Sequence, residues 1–384
     1  MKILFVCQQY IHAARWINQL KDTHHEIYVF DCLDRPIHEE LKWTHSIENW
    51  SKRKVKPFKG EHFLKKKLPK SYETLEPFLT LTAAKKLEEL IKEIQPDLVH
   101  SLEMQSQTYP VEKVRRKLKF NWAYFSWGSD LYLYKDDPKH RPKIQKVMST
   151  IDYFIADNYR DTYLAKKLGF NHDNEAVYPG GGGYHLRDLR PFIQRPAHER
   201  NLILIKGYHH WAGRALHVLE AIETLVDELA SYEIYVYSAH PVVVDKIKEI
   251  NQKHGCSIEY STRKEEISHE ELMEKFGQAK IAIGNSISDG IPNTLLESIV
   301  MGAFPIQSNP GGVSRDRITD GQNGFLIENA EDPAEIADKI KRALKDSNLL
   351  QYAFEINQRQ ARGMSYDRIR DSVLSFYQDI EDSL

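Results

Sequence analysis

The feature that most restricts this chain is an alternation of two patterns, run through twice. Short apolar runs rich in β-branched and aromatic residues come first: KILFV (2–6), EIYVFD (26–31), PDLVHSL (96–102), NWAYFSW (121–127) and DYFIAD (152–157). Between several of them lie stretches of helical period, such as AARWINQLKD and TAAKKLEELIKEIQ. Runs that are apolar throughout mark strands covered on both faces, and alternation with helices makes those strands parallel. After a polar, Pro- and Arg-rich stretch (186–201), the pattern restarts with LILIKG (202–207), EIYVYS (233–238), SIEYS (257–261), KIAIGNS (280–286), AFPIQS (303–308) and GFLIE (324–328). The class is therefore α/β, with two similar parallel-sheet domains in tandem. A length of 384 residues fits two cores of about 150–200 residues each.

Composition excludes several functions. A formal net charge of −2 gives no global attraction to nucleic acid. Cys7, Cys32 and Cys256 are scattered, which predicts a reducing compartment and no thiol framework. The first residues, MKILFVCQQY, hold too short an apolar run for a secretory leader, and no run reaches the ~18–20 residues of a membrane span. The expected location is cytoplasmic. No GxGxxG follows the first strand, which argues against a dinucleotide-dependent dehydrogenase.

Open parallel sheets bind ligands beyond the C-terminal ends of their strands, where the strand order reverses. Two such domains facing each other predict a deep cleft lined by these loops. One loop stands out: GNSISDGIPNTLLESIVMGAFPIQS (284–308). Pro292 suits the first position of a helix, and Gly302 suits its end. Free amides near Asn293, Thr294 and Leu295, with the positive end of the helix dipole, suit a diphosphate. Asp289 and Glu297 flank that tip. Carboxylates repel phosphate but accept hydrogen bonds from sugar hydroxyls. The simpler alternative is an acid stabilising its own helix start beside an ordinary surface glutamate.

The stretch SDGIPNTLLESIVMGAFPIQSNPGGVSRDRITDGQNGFLI (288–327) resembles the donor-site signature of glycosyltransferase family 4. The resemblance implies the GT-B fold: two Rossmann-like domains across a deep cleft. The expected boundaries are 1–185 for the acceptor-binding domain, 186–200 for a linker and 201–365 for the donor-binding domain. A C-terminal helix, 366–384, is expected to pack back on the first domain. The resemblance also implies that Glu297 holds the nucleotide ribose and Asp289, with Gly290, Asn293 and Thr294 beside it, the donor sugar. An aspartate replaces the more usual glutamate at 289. Family members carry an Arg and, five residues on, a Lys for the diphosphate. Here Tyr208 and Gly213 occupy those places, with Lys206 and Arg214 nearby as the candidate cations. Cations there would stabilise the leaving diphosphate.

In the first half, DLVHSLEMQ (97–105) and YFSWGSDLY (124–132) put His100, Glu103 and Asp130 at strand ends. Trp127 stands where many family members have a histidine near the reacting carbon. Tryptophan is neither acid nor base, so a protein base would have to be Asp130, His100 or Glu103. Asp130 is equally suited to capping a turn. His12, Glu103 and Trp127 are the candidate acceptor contacts, His12 being equally suited to a structural role. The turn YPGGGG (178–183) reads as a cleft-side turn, with a phosphate cradle as the alternative.

The segment SKRKVKPFKGEHFLKKKLPK (51–70) holds nine basic residues and one Glu. It reads either as a solvated basic loop or as a surface for anionic lipid.

The combined expectation is a retaining transferase in cell-surface polysaccharide synthesis. It would move a sugar from a UDP-sugar to a hydroxyl of a glycan or lipid-linked glycan, with no metal and no other cofactor. Its partners would be the donor, that acceptor and an anionic membrane face, not nucleic acid. The alternatives are a catalytically silent nucleotide-sugar-binding partner and a sugar-nucleotide epimerase.

Overall fold

The computed structural model describes the backbone of residues 1–384 and the side chains of all but residues 69, 70, 73 and 77. The chain divides into two compact units: Met1–Ala156 with Asp161–Gly181 and Val373–Leu384, and Asp157–Arg160 with Gly182–Ser372.

In the first unit, strands β1 (Lys2–Val6), β2 (Glu26–Phe30), β3 (His45–Ile47), β4 (Leu98–Leu102), β5 (Asn121–Phe125), β6 (Tyr153–Ala156) and β7 (Glu175–Val177) form one sheet. Its order is β3-β2-β1-β4-β5-β6-β7, parallel throughout. All five residues of β4 are buried, the polar His100 and Ser101 among them. The final helix, Tyr366–Asp382, ends in this unit, where Tyr377 is fully buried.

In the second unit, β8 (Leu202–Lys206), β9 (Glu233–Ala239), β10 (Ile258–Thr262), β11 (Ala279–Gly284), β12 (Phe304–Ser308) and β13 (Phe325–Ile327) pair in the order β10-β9-β8-β11-β12-β13. These ladders too are parallel. The strand order reverses between β1 and β4 in one sheet and between β8 and β11 in the other. Off those strand ends lie the loops singled out by sequence.

The Pro- and Arg-rich stretch after residue 185 folds into short helical turns of this second unit. Arg200 is buried there and donates to the Phe276 and Ala279 carbonyls at 3.3 and 3.1 Å. Within YPGGGG, Gly182 and Gly183 adopt φ of 75° and 83°. A Cβ on Gly183 would lie 3.0 Å from the Met364 carbonyl, so the turn is built for close packing.

The basic segment departs from the loop reading. It forms the helix Glu61–Lys67, followed by Pro69–Leu79. Pro69 starts the second helix, where its missing N–H does no harm. Glu61 accepts hydrogen bonds from the two terminal guanidinium nitrogens of Arg53 and from the Tyr72 hydroxyl.

Candidate functional site

The β8 and β11 loops of the second unit are joined by their backbones. Arg214 N–H donates to the Asn285 carbonyl (2.9 Å) and Ile287 N–H to the Ala212 carbonyl (3.0 Å). Asn285, buried, donates from Nδ2 to the carbonyls of Ala330 (2.8 Å) and Arg214 (3.2 Å). This framework fixes where the next helix begins.

That helix spans Asn293–Met301. Pro292 is its N-cap residue, one place earlier than the sequence suggested, and Gly302 closes it at φ 71°. The Leu295 amide bonds the Pro292 carbonyl at 3.0 Å, so it is not available to a ligand. Among the described residues, the amides of Asn293 and Thr294 have no acceptor. No acidic residue occupies the first turn and no side chain caps it. The tip therefore keeps its partial positive charge. Gly290 has no room for a side chain, because a Cβ would meet the Asp157 carboxylate at 2.5 Å.

Glu297 is buried, with Oε1 3.1 Å from His269 Nε2. Its other oxygen has no partner among the described residues. His269 opens the helix His269–Gln278, held by a capping box between Ser268 and Glu271. Sequence reading missed His269, which fixes one oxygen of Glu297 and leaves the other open. Thr294 Oγ1 and the Tyr237 hydroxyl lie 2.8 Å apart in the same interior. Burial and then the Glu297 carboxylate push the Tyr237 hydroxyl well up.

Asp289 is half-buried. Burial raises its carboxyl, while Lys206 and then Arg160 oppose the rise. Arg160 also donates to the Asp289 carbonyl at 2.9 Å.

The cations divide differently from the expectation. The Arg214 guanidinium is taken by protein groups: Nε lies 2.6 Å from Glu331 Oε1, and Nη1 bonds the His210 and Gly213 carbonyls. It braces its own loop. Gly213 stands where the family has a lysine because a Cβ would lie 2.4 Å from the Tyr208 carbonyl. Lys206 makes no ion pair among the described residues. Its Nζ lies 4.6 Å from the Tyr208 ring centre, and the Arg263 guanidinium carbon lies 4.9 Å from the same centre. Arg263, which sequence reading did not single out, faces a carboxylate only at 3.9 Å, that of exposed Glu266. Tyr208 stacks on His240 at 5.5 Å and 16°. His210 is lowered to about 4 by burial, then by His240, Lys206 and Arg263. It is neutral and accepts from the Ala212 amide at 3.0 Å. Two cations on one ring, with the His210 imidazole forced neutral beside them, make a locus that an anion would stabilise.

In the first unit the candidates fall into two groups. His12 is exposed and meets half-buried Trp127 edge-on at 6.2 Å. The other three are structural in their contacts. His100 is fully buried, stacked on Phe5 at 5.2 Å, with Nδ1 2.7 Å from the Tyr377 hydroxyl. Burial lowers it to about 3. The sequence placed it at a strand end, but its side chain points into the core, where no substrate hydroxyl reaches it. The Glu103 carboxylate caps the following turn, accepting from Gln105 N, Ser106 N, Ser106 Oγ and Gln8 Nε2. Its backbone holds φ 74°, a strained conformation for a non-glycine residue. Asp130 is buried and accepts from Met104 N (2.9 Å), Trp127 N (2.9 Å), the Tyr124 hydroxyl (2.7 Å) and the Ser126 hydroxyl (3.2 Å). It shapes the loop that presents Trp127.

Two parallel-sheet α/β units of this topology define the GT-B architecture. Solved structures of that architecture superpose over almost the whole chain. A glycosyltransferase from Rickettsia africae is 17% identical, with TM-score 0.69, covering 99% of this chain and 98% of that one. Sucrose-phosphate synthase from Thermosynechococcus elongatus is 14% identical, with TM-score 0.69 and full coverage of both chains. Anabaena HepE, solved in complex with UDP-glucose, is 12% identical, with TM-score 0.67, covering 99% and 100%. At such identities the likeness speaks for the fold alone. No curated protein matches the chain. Two family models do: glycosyl transferase 4-like over residues 2–158, and glycosyl transferases group 1 over residues 194–360. The chain belongs to the group 1, family 4-like glycosyltransferases.

Proposed function

We propose that this glycosyltransferase takes a UDP-sugar as donor, holds it in the second unit and transfers the sugar, with retention, to a hydroxyl of a glycan or lipid-linked glycan. The observation that carries this reading is the tip of the Asn293–Met301 helix. Two unpartnered amides sit there beside a buried glutamate with one open carboxylate oxygen. In this reading the amides hold phosphate, Glu297 holds the ribose and Asp289 the sugar hydroxyls. Lys206 and Arg263 stabilise the diphosphate as it leaves, the part the sequence had given to Arg214. Asp130, His100 and Glu103 act as scaffold, so the acceptor proton goes to the donor phosphate rather than to a side-chain base. The reaction itself needs no metal. HepE, whose solved complexes contain UDP and UDP-glucose, supports the choice of base.

The test is release of UDP from UDP-sugars in the presence of candidate acceptors, together with binding of UDP and uridine. Transfer should be measurable, and Lys206→Ala with Arg263→Ala should weaken UDP by at least about tenfold, a charge-assisted contact each, while sparing uridine. Binding of UDP without any release from its sugars would instead mark a silent partner.

The same proposal places the enzyme at an anionic membrane face. Among the described residues no helix is long and apolar enough to cross a membrane. Along and beside the Glu61–Lys67 helix, however, Phe58, Phe63, Leu68 and Phe78 are exposed beside Lys65, Lys66 and Lys67. Basic residues near an anionic bilayer contribute about 1 kcal/mol each. Changing all three lysines to glutamate should abolish co-sedimentation with anionic vesicles; undiminished sedimentation would remove the membrane from the reading.

A further inference from the structure

We infer that the first unit carries a site for a divalent transition metal of the zinc class, formed by His24, His25 and Glu381. In the sequence these residues show no metal-binding pattern, since Glu381 lies 357 residues after His24. The fold brings them together. His24 and His25 precede β2, and Glu381 sits in the last turn of the Tyr366–Asp382 helix. One donor atom from each lies within 4.8 Å of the others. His24 Nε2 is 2.7 Å from Glu381 Oε2, and the two imidazole rings are 4.1 Å apart. The place already attracts a cation: the Met1 ammonium lies 2.8 Å from Glu381 Oε1 and 3.2 Å from His25 Nδ1.

The ligand chemistry selects the metal. Two imidazoles with one carboxylate suit zinc and its neighbours, whereas magnesium and calcium take oxygen ligands. Tetrahedral zinc with bonds near 2.0–2.1 Å needs donor atoms about 3.3 Å apart. The His24 side chain is 62% exposed and free to rotate the cluster closed. Three protein ligands leave a fourth position for water. Neither the donor-holding candidates nor His12 and Trp127 are among the ion's ligands, so its inferred role is structural. It would tie the end of the last helix to the turn before β2.

The test uses the full chain, stripped with chelator and free of any tag. Titration with zinc chloride against a competing indicator dye should show one site. His24→Ala and Glu381→Gln should each weaken that site by at least about tenfold, since losing a mere supporting residue already has that effect. Zinc should also slow amide exchange across Val373–Leu384 in the parent protein but not in the variants. His24→Ala alters an exposed side chain, so it tests the idea even if Glu381→Gln disturbs the helix end. Unchanged zinc affinity in both variants, or unchanged exchange in the parent, overturns the inference and leaves only an ion pair.

Discussion

Replacing Glu297 with alanine should abolish the thermal stabilisation that a UDP-sugar confers. Glu297 is buried, with one oxygen fixed by His269 and the other open. A ribose diol would bring two hydroxyl donors to it, and bonds to an ionised acceptor contribute about 1.5–3 kcal/mol each. Their loss corresponds to roughly 10²–10⁴ in affinity. At a hundred times the dissociation constant the parent protein gains about 2.7 kcal/mol, whereas a variant weakened about 300-fold gains only about 0.2. Glu297→Gln should fall between, because it keeps the shape and loses the charge. His269→Ala should cost far less, since the carboxylate remains. A full thermal shift in Glu297→Ala would make this glutamate a structural residue and take the donor assignment with it.

The second large effect is expected at Asp130 and concerns stability. Asp130→Ala strands three donors, the Met104 and Trp127 amides and the Tyr124 hydroxyl, while the Ser126 hydroxyl keeps Asp161 as an acceptor at 3.2 Å. At about 1–3 kcal/mol for each buried donor left without a partner, a loss of several kcal/mol is expected in denaturant unfolding. The pH dependence carries a sign of its own. Burial and then the Glu103 carboxylate push the Asp130 carboxyl up to about 7. In the unfolded chain it titrates near 4. Between those values the folded state holds more protons than the unfolded one, so stability falls as pH rises through that window. A displacement of this size corresponds to at most roughly 4 kcal/mol. Asp130→Asn, uncharged at every pH, should be less stable than the parent at pH 5 yet lose less between pH 5 and 7. An identical slope in the two proteins would exclude Asp130 as its source.

The strands that organise both sheets were legible because each is a short, mainly apolar run. β3 was not: HSI is short, at a sheet edge and incompletely buried. The Glu61–Lys67 helix escaped because its lysines mask any helical period. At the donor candidate, the 284–308 stretch showed the helix tip and both acids, since all are local in sequence. What it could not show was competition from afar. Arg214 reads as a free cation until Glu331, 117 residues later, appears against it. His269 and Arg263 gain their meaning only through Glu297 and Tyr208, partners that no spacing rule connects to them. Strand-end position was likewise read as access. For Asp130 and His100 it meant the reverse, because the side chains turn inward and serve the fold.

The buried Tyr377 has one more consequence. Its hydroxyl receives the Trp16 indole N–H at 3.1 Å and sits 2.7 Å from His100. An indole nitrogen only donates, so the tyrosine proton goes to His100. During vectorial synthesis, residues 1–181 must therefore emerge with this aromatic socket unfilled. The half made first is completed only by a segment that is made much later.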